Sequence, residues 1–594
     1  MFVFIVLIAF VIACGFGAAL KTRASSFIGA LGPTAGLAAL PIIYIVLANR
    51  WELVLTEQLP FPFEQSRFEF GVVDAVFMIP LVIVGFTVAL FGFCLKKPEH
   101  AVMRPQFWFF LNIMYAGMMT MLIAGNAALY IIGWEIMSWA AFFLICTYFR
   151  RKEVRDAGII YFIVAHITFL IILVAAFMFE YEAILYPSAI FLTGLVGFGA
   201  KAGLAPFHVW LPEAQTAAPG HVSALLAGVM CNMGIYMMWR LTGAEIRLLG
   251  APPLWWGYCF LGMGAVSAFY GAVMALRQRN LKRLLAYSVV QNTGVIFMGI
   301  GLGYLAEHYG CEHLRNLLYL GCVLHMINHA VFKSLLFMAA GIIINQTEVS
   351  DIRLLAGICK RLPFTGPALV IGCAAAAGLP PLNGFIGEYL LFDGAIAALA
   401  QPGMREAAIL MLAVLGVVSV LMLVCYIRLA GIAALGEPRC KAVASCVQSN
   451  MSLKYPLTIL MGLCILSGAG LPFFMDVPGI LRQILLGLAV LVVLAVFWVG
   501  VRRLRLHKNT VPADNDRAPG EKTTLMWTTV LEEEVGAVRF DGGERDGVLE
   551  YVFRPFFRVL YRCCMKMKWL DGGGLGRGLL YIALVLLILL VWTL

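Results

Sequence analysis

"MLIAGNAALYIIGWEIMSWAAFFLICTY", residues 121–148, holds one ionised side chain, Glu135, inside an apolar run long enough to cross a bilayer. Trp134 precedes it and Trp139 follows four residues later. The sequence around this run is of the same kind. Across 594 residues the chain is 62% hydrophobic and 13% charged, where a soluble protein averages about 25% charged. One apolar run follows another, many of them of membrane-spanning length. The alternating pattern of an outer-membrane barrel is absent. The expectation is an all-α polytopic membrane protein with about sixteen transmembrane helices, the last two centred near residues 491 and 586. The first run, "MFVFIVLIAFVIACGFGAAL", has no basic residue before it and reads as a retained span rather than a cleaved signal.

A net charge of +10 could suggest nucleic acid as a partner, but its distribution excludes that. The basic residues alternate from loop to loop. Lys21 and Arg23, then Lys96, Lys97 and Arg104, then "RRKEVR" at 150–155, "RQRNLKR" at 277–283, Arg353 with Lys360 and Arg361, and "RRLRLHK" at 502–508 fall on one side. Glu52, Glu57, Glu64, Asp74, Glu180, Glu182, Glu307 and Glu312 fall on the other. Basic loops stay in the cytoplasm, so the charge reports topology, with both termini predicted outside a cytoplasmic (inner) membrane. The fifteen cysteines are scattered. There is no C-x-x-C, no G-x-G-x-x-G after a strand and no Walker sequence, so no cofactor or metal site is expected in this chain.

Two places break the helical pattern within apolar sequence. "GLAPFHVWLPEAQTAAPGHVSALL" (203–226) contains Pro206, Pro212 and Pro219; "GLPPLNGF" (378–385) contains paired prolines and Gly384. Both begin Gly-Leu-x-Pro. Matched broken helices in two halves point to an internal-repeat transporter with its ion path near the breaks, because interrupted backbone at membrane depth is tolerated only where protein or a wet cavity satisfies it.

The remaining intramembrane charges cluster at these breaks. Lys201 stands just before the first and Glu388 just after the second. His325, His329 and Lys333 follow one another at i, i+4 and i+8, and so share one stripe of one helix. A charge at mid-bilayer costs roughly 2.5–3.5 kcal/mol and persists where it pairs or where ions pass. Carboxylates, lysines and histidines whose proton affinity depends on burial and on whether a pair is closed or open suit proton transfer. A Glu135–Lys201 pair, the histidine stripe and Glu388 would form a proton wire along the midplane. The static alternative is a buried ion pair and histidines that hydrogen-bond between helices. His166 and Asp393 read as structural, His208 and His221 are open, and Lys282 and Arg283 read as topology anchors.

With these residues in view, the sequence resembles a family. "GWE" (133–135), "KAGLAPFHVWLPEAQTAAPGHVSALL" (201–226), "NLKRLLAYSVVQNTG" (280–294), "HMINHAVFKSLLF" (325–337) and "GLPPLNGFIGEYLL" (378–391) resemble the antiporter-like membrane subunits shared by respiratory complex I, cation/proton antiporters and membrane-bound hydrogenases. Glu388, Asn292 and the closing "GLLYIALVLLILLVW" resemble the hydrogenase-4 and formate hydrogenlyase branch. The resemblance implies two inverted five-helix repeats, each with a broken helix. It implies a pumping glutamate at Glu135, the broken-helix lysine at Lys201, a central relay of His325, His329 and Lys333, and a terminal acidic site at Glu388. It divides the chain into N-terminal transmembrane helices (1–104), an antiporter-like core (105–435), C-terminal transmembrane helices (436–502), a cytoplasmic loop with an amphipathic lateral helix (503–576) and a final transmembrane helix (577–594). Two departures stand out: Asn232 where relatives usually carry a titratable lysine, and Gln215 where hydrogenase-type relatives often have histidine.

The function implied is a proton-translocating subunit of a membrane-bound hydrogenase or complex I-like oxidoreductase. It has no redox centre of its own. Iron–sulfur clusters and a nickel–iron site are expected in partner subunits. Those partners are other membrane subunits and peripheral hydrogenase or oxidoreductase subunits, with the lipid bilayer and with protons, or Na⁺, as the transported ion. The alternatives are a stand-alone or Mrp-type Na⁺/H⁺ antiporter subunit, a non-pumping membrane scaffold, and a coupling subunit for a different peripheral enzyme.

Overall fold

A computed structural model of the chain describes residues 1–20, 24–57, 66–95, 105–182, 186–448 and 451–470. All of these lie in the first of two structural units, Met1–Phe540; the second is Asp541–Leu594. Among the described residues thirteen helices are long and apolar enough to cross a membrane. We number the spans α1 (Phe2–Ala19), α2 (Ser25–Asn49), α3 (Val72–Cys94), α4 (Pro105–Ile123), α5 (Ala127–Tyr148) and α6 (Lys152–Glu182). There follow α7a (Pro187–Ala202), α7b (Trp210–Ala217), α8 (Gly220–Leu249), α9 (Leu254–Arg277), α10 (Leu281–His308) and α11 (Glu312–Thr347). The last are α12a (Thr365–Ala376), α12b (Asn383–Ala398), α13 (Arg405–Ala434) and α14 (Met451–Gly470). An antiparallel hairpin, β1 (Leu53–Glu57) and β2 (Ser66–Phe70), joins α2 to α3. Each span expected through residue 470 corresponds to one of these helices or to the α12 pair. The spans expected near 491 and 586, and the lateral helix within 503–576, lie outside the described residues.

The hub of the bundle is α10, buried along its length, and it packs most closely on α9. Gly257, Gly264 and Gly271 of α9 recur every seven residues and face Gly301, Gly294 and Gln291 of α10. A Cβ at Gly264 would lie 2.7 Å from the Gly294 carbonyl oxygen. In lipid there is little hydrophobic force between helices, so small residues that let backbones touch supply the packing.

Both expected breaks are present with the same local backbone. Gly203 and Gly378 have positive φ (85° and 66°), and the Ala205–Pro206 and Pro380–Pro381 bonds are cis. The backbone groups freed at the first break find donors and acceptors on neighbouring helices, as burial demands. The Thr293 hydroxyl donates to the Ala202 carbonyl (3.0 Å), the Trp210 indole to that of Ala200 (2.8 Å), and the Ala205 N–H to Ser267 Oγ (3.1 Å). Lys282, read as a topology anchor, is instead buried. It donates to the Thr216 carbonyl (3.1 Å) and to that of Ala218, capping the end of α7b. Arg283 pairs with Glu213 at 2.7 Å.

The second break is wedged tightly. Gly468 of α14 packs on the Pro381–Asn383 backbone, and a Cβ on Gly384 would lie 1.9 Å from the Ala375 carbonyl oxygen. Because the obstacle is backbone, Gly384→Ala is expected to destabilise the protein by about 1–3 kcal/mol or more, as overpacking does. A lowered Tm of the detergent-solubilised protein would show it, and an unchanged Tm would refute the packing described.

Candidate functional site

Glu135 lies on α5 and His166 on α6. Glu135 Oε2 is 3.9 Å from His166 Nε2, and the two side chains are 22% and 30% exposed, so this end of the site reaches the outer surface of the α5–α6 pair. His166 Nδ1 is fixed by the Phe162 carbonyl at 2.8 Å, which turns Nε2 toward the carboxylate. At this distance there is no hydrogen bond between them, and the contact is an ion pair only with a protonated imidazole. His166 is a neighbour for Glu135 that its sequence context did not suggest.

Glu135 and Lys201 make no ion pair within 4.0 Å. The Lys201 ammonium instead donates to Ser138 Oγ and Tyr161 Oη, both at 3.0 Å. It sits among the rings of Trp134, Tyr161 and Trp210, with centroids at 5.5, 5.0 and 6.0 Å. The Glu135–Lys201 pair is therefore open, because Ser138, one turn beyond Glu135 on α5, is the group presented to the lysine.

Next along the row, α8 contains a π-turn, Leu226–Met230, of the kind that recurs at functional sites. Gly228 in that turn presses on α11, where an added Cβ would be 2.8 Å from Ser334 Oγ. Gly234 presses on α7a at Ala202, next to Lys201. Asn232 lies between these two contacts. Its amide donates to the Gly228 carbonyl at 2.8 Å, so it satisfies an acceptor within the π-turn rather than offering a titratable group.

On α11, His325, His329 and Lys333 are all buried and share the expected stripe, but each meets a different environment. His325 Nε2 donates to Asn292 Oδ1 at 2.9 Å. The Asn292 amide in turn donates to the Ser288 carbonyl (2.6 Å) and to Gln291 Oε1 (2.8 Å). The Lys333 ammonium donates to Ser288 Oγ and to Tyr426 Oη, the latter at 2.8 Å. Between them, both ring nitrogens of His329 are buried without a hydrogen-bond partner, as are Asn328 Nδ2, Ser334 Oγ and Asn383 Oδ1.

Glu388 sits on α12b with its carboxylate folded back over the break: a Cβ on Gly378 would lie 2.8 Å from Oε2. The Ser419 hydroxyl of α13 hydrogen-bonds it. The preceding residue, Gly387, packs directly on the His325 backbone. The structure thus joins His325 and Lys333 through Ser288 and Asn292 and packs α12b, the helix of Glu388, on α11 at His325. Glu135 lies near His166 at the opposite, half-exposed end. The hydroxyls of Ser138, Tyr161, Ser288 and Tyr426 went unnoticed in the sequence, where nothing separates a serine or tyrosine that faces a lysine from one that does not.

This arrangement, a helical membrane bundle with two broken helices and titratable side chains buried between them, defines an antiporter-like membrane protein. Residues 124–404 match the family described as NADH:quinone oxidoreductase/Mrp antiporter, TM. Hydrogenase-4 component B of Escherichia coli K12 is 32% identical over 68% of this chain and 63% of its own length. Formate hydrogenlyase subunit 3 of the same strain is 30% identical over 68% of this chain and 66% of its own. The chain therefore spans slightly less than two thirds of either relative. A chain in the structure of the membrane-bound sulfane sulfur reductase, an archaeal respiratory membrane complex, superposes with a TM-score of 0.71. That match covers 98% of this chain and 99% of the other at 20% identity, a likeness of fold.

Proposed function

We propose that this chain is the proton-translocating membrane subunit of a hydrogenase-type or complex I-like oxidoreductase in the inner membrane, with its basic loops in the cytoplasm. One observation carries the reading. Lys201 and Lys333 are buried within membrane-spanning helices with neutral hydroxyls as their hydrogen-bond partners, and both ring nitrogens of His329, one turn before Lys333 on α11, lack a hydrogen-bond partner. A static buried charge needs a hydrogen-bonded counter-ion to offset its desolvation. A group that gains and loses a proton is better served by neutral partners, which leave no unpaired opposite charge behind. Unpartnered buried polar atoms are the usual lining for internal water, and water would complete the row from Lys201 past His329 to His325 and Glu388.

In this reading Glu135 and His166 form the surface end of the row, and a shift of the Glu135 carboxylate toward Lys201 is the event that redox work in partner subunits drives. The partners are further membrane subunits and peripheral subunits, and iron–sulfur clusters and a nickel–iron centre belong to the latter. The two curated relatives, named as components of a hydrogenase and a formate hydrogenlyase, support that choice. Glu135→Gln, an isostere that cannot ionise, is expected to stop proton pumping by the assembled complex in vesicles while the complex still forms. Undiminished pumping would sink the reading. If the purified chain alone dissipated an imposed pH gradient on addition of Na⁺, a secondary antiporter would replace it.

A further inference from the structure

A groove of about 860 Å³ runs between α4, α5 and α6 at the end of the bundle that carries the basic 150–155 loop. Its walls are apolar: Phe110 of α4, Phe142 and Phe143 of α5, Phe149 in the turn and Ile159 of α6. Phe110 and Phe143 stack at 4.2 Å between centroids, making a flat aromatic floor. Arg155 lines the same groove. Its Nη1 donates to the carbonyls of Phe149 and Arg150, both at 3.1 Å, which holds the turn bearing Arg150, Arg151 and Lys152 at the mouth. The start of α6 lies in that turn, so the first-turn N–H groups add their own preference for an anion. Over 150–156 four basic residues outnumber two acidic ones, Glu153 and Asp156. By the loop-charge rule this is the cytoplasmic face.

We propose that this groove is a binding site for one anionic diacyl phospholipid of the cytoplasmic leaflet, its phosphate in the Arg150–Arg155 turn and an acyl chain across the phenylalanines. The division of the groove into an aromatic trough and a cationic mouth matches such a lipid end for end, and basic pockets between membrane helices on the cytoplasmic side select anionic headgroups. A protein helix fits less well: at about 10 Å across, only about two turns would fill 860 Å³. The site also adjoins the surface end of the proton row. Phe142 packs on Phe162 (5.3 Å) and Phe162 on His166 (4.0 Å), so a chain lying in the groove continues along the face where Glu135 and His166 are half-exposed. The inference rests on the groove and its charges and stands independently of the transport reading.

The full-length chain is purified and its lipid retention compared by native mass spectrometry with dioleoylphosphatidylglycerol and dioleoylphosphatidylcholine. The wild type is expected to retain phosphatidylglycerol about fivefold or more over phosphatidylcholine, the share one interfacial cation supplies. Arg155→Gln should lower that preference by about fivefold, the share of one cation. Ile159→Trp, which fills the groove from an exposed position, should lower retention of both. Equal retention of the two lipids by the wild type, or no loss with Ile159→Trp, overturns the proposal. A photoreactive benzoylphenylalanine at position 159, irradiated in native membranes, should give an adduct of lipid mass; an adduct of polypeptide size assigns the groove to a partner chain instead.

Discussion

Lys201→Arg is expected to stop proton translocation as completely as Lys201→Ala, by about 10²-fold or more, the contribution typical of a positioned proton-transfer group. The arginine keeps the positive charge, the length and the capacity to donate to Ser138 and Tyr161, which hold the ammonium at 3.0 Å. What it lacks is a neutral form, because a guanidinium does not deprotonate in proteins. A lysine that serves only as a fixed charge would therefore be replaced by arginine at modest cost, and a lysine that carries the proton would not. The measurement is proton uptake by vesicles containing the assembled complex, with assembly checked separately. The aromatic box of Trp134, Tyr161 and Trp210 is tight enough that Lys201→Arg could perturb packing, so Lys201→Met supplies a neutral control of similar volume. Near-normal pumping with arginine would assign Lys201 a static role.

Glu388→Gln is expected to block transport at the far end of the row while leaving the fold intact. The carboxylate accepts from Ser419 and lies over Gly378 at the second break, and glutamine matches its shape and can still accept through its carbonyl oxygen. Only ionisation is removed. Since α12b packs on α11 with Gly387 against the backbone of His325, Glu388 is the titratable residue that directly follows the contact of α12b with the α11 stripe. Loss of about 10²-fold in pumping, with an unchanged Tm for the isolated protein, is the expected pattern. Wild-type pumping in Glu388→Gln would mean that the route ends elsewhere.

Much of the fold is legible in the chain. Apolar runs of span length, the loop-to-loop alternation of basic residues and the two Gly-Leu-x-Pro segments are local properties, and the helices and breaks follow them. The stripe of His325, His329 and Lys333 is likewise set by the 3.6-residue period. Position 232 was legible as a departure but not as a cause: the asparagine serves the Gly228 carbonyl of a π-turn, and no hydropathy pattern announces a π-turn.

What the sequence alone determined is therefore which residues lie in the membrane, where its helices are interrupted and which charges share a helix face. The tertiary structure decided which groups meet. It set Glu135 near His166 rather than Lys201, put hydroxyls instead of carboxylates around Lys201 and Lys333, and turned Lys282 from an anchor into a cap on α7b. The physical reason is that hydropathy and helical period specify an element and its faces but not its rotation against neighbours distant in sequence. That rotation is fixed by close packing, such as the glycine contacts of α9 on α10 and of α8 on α7a and α11.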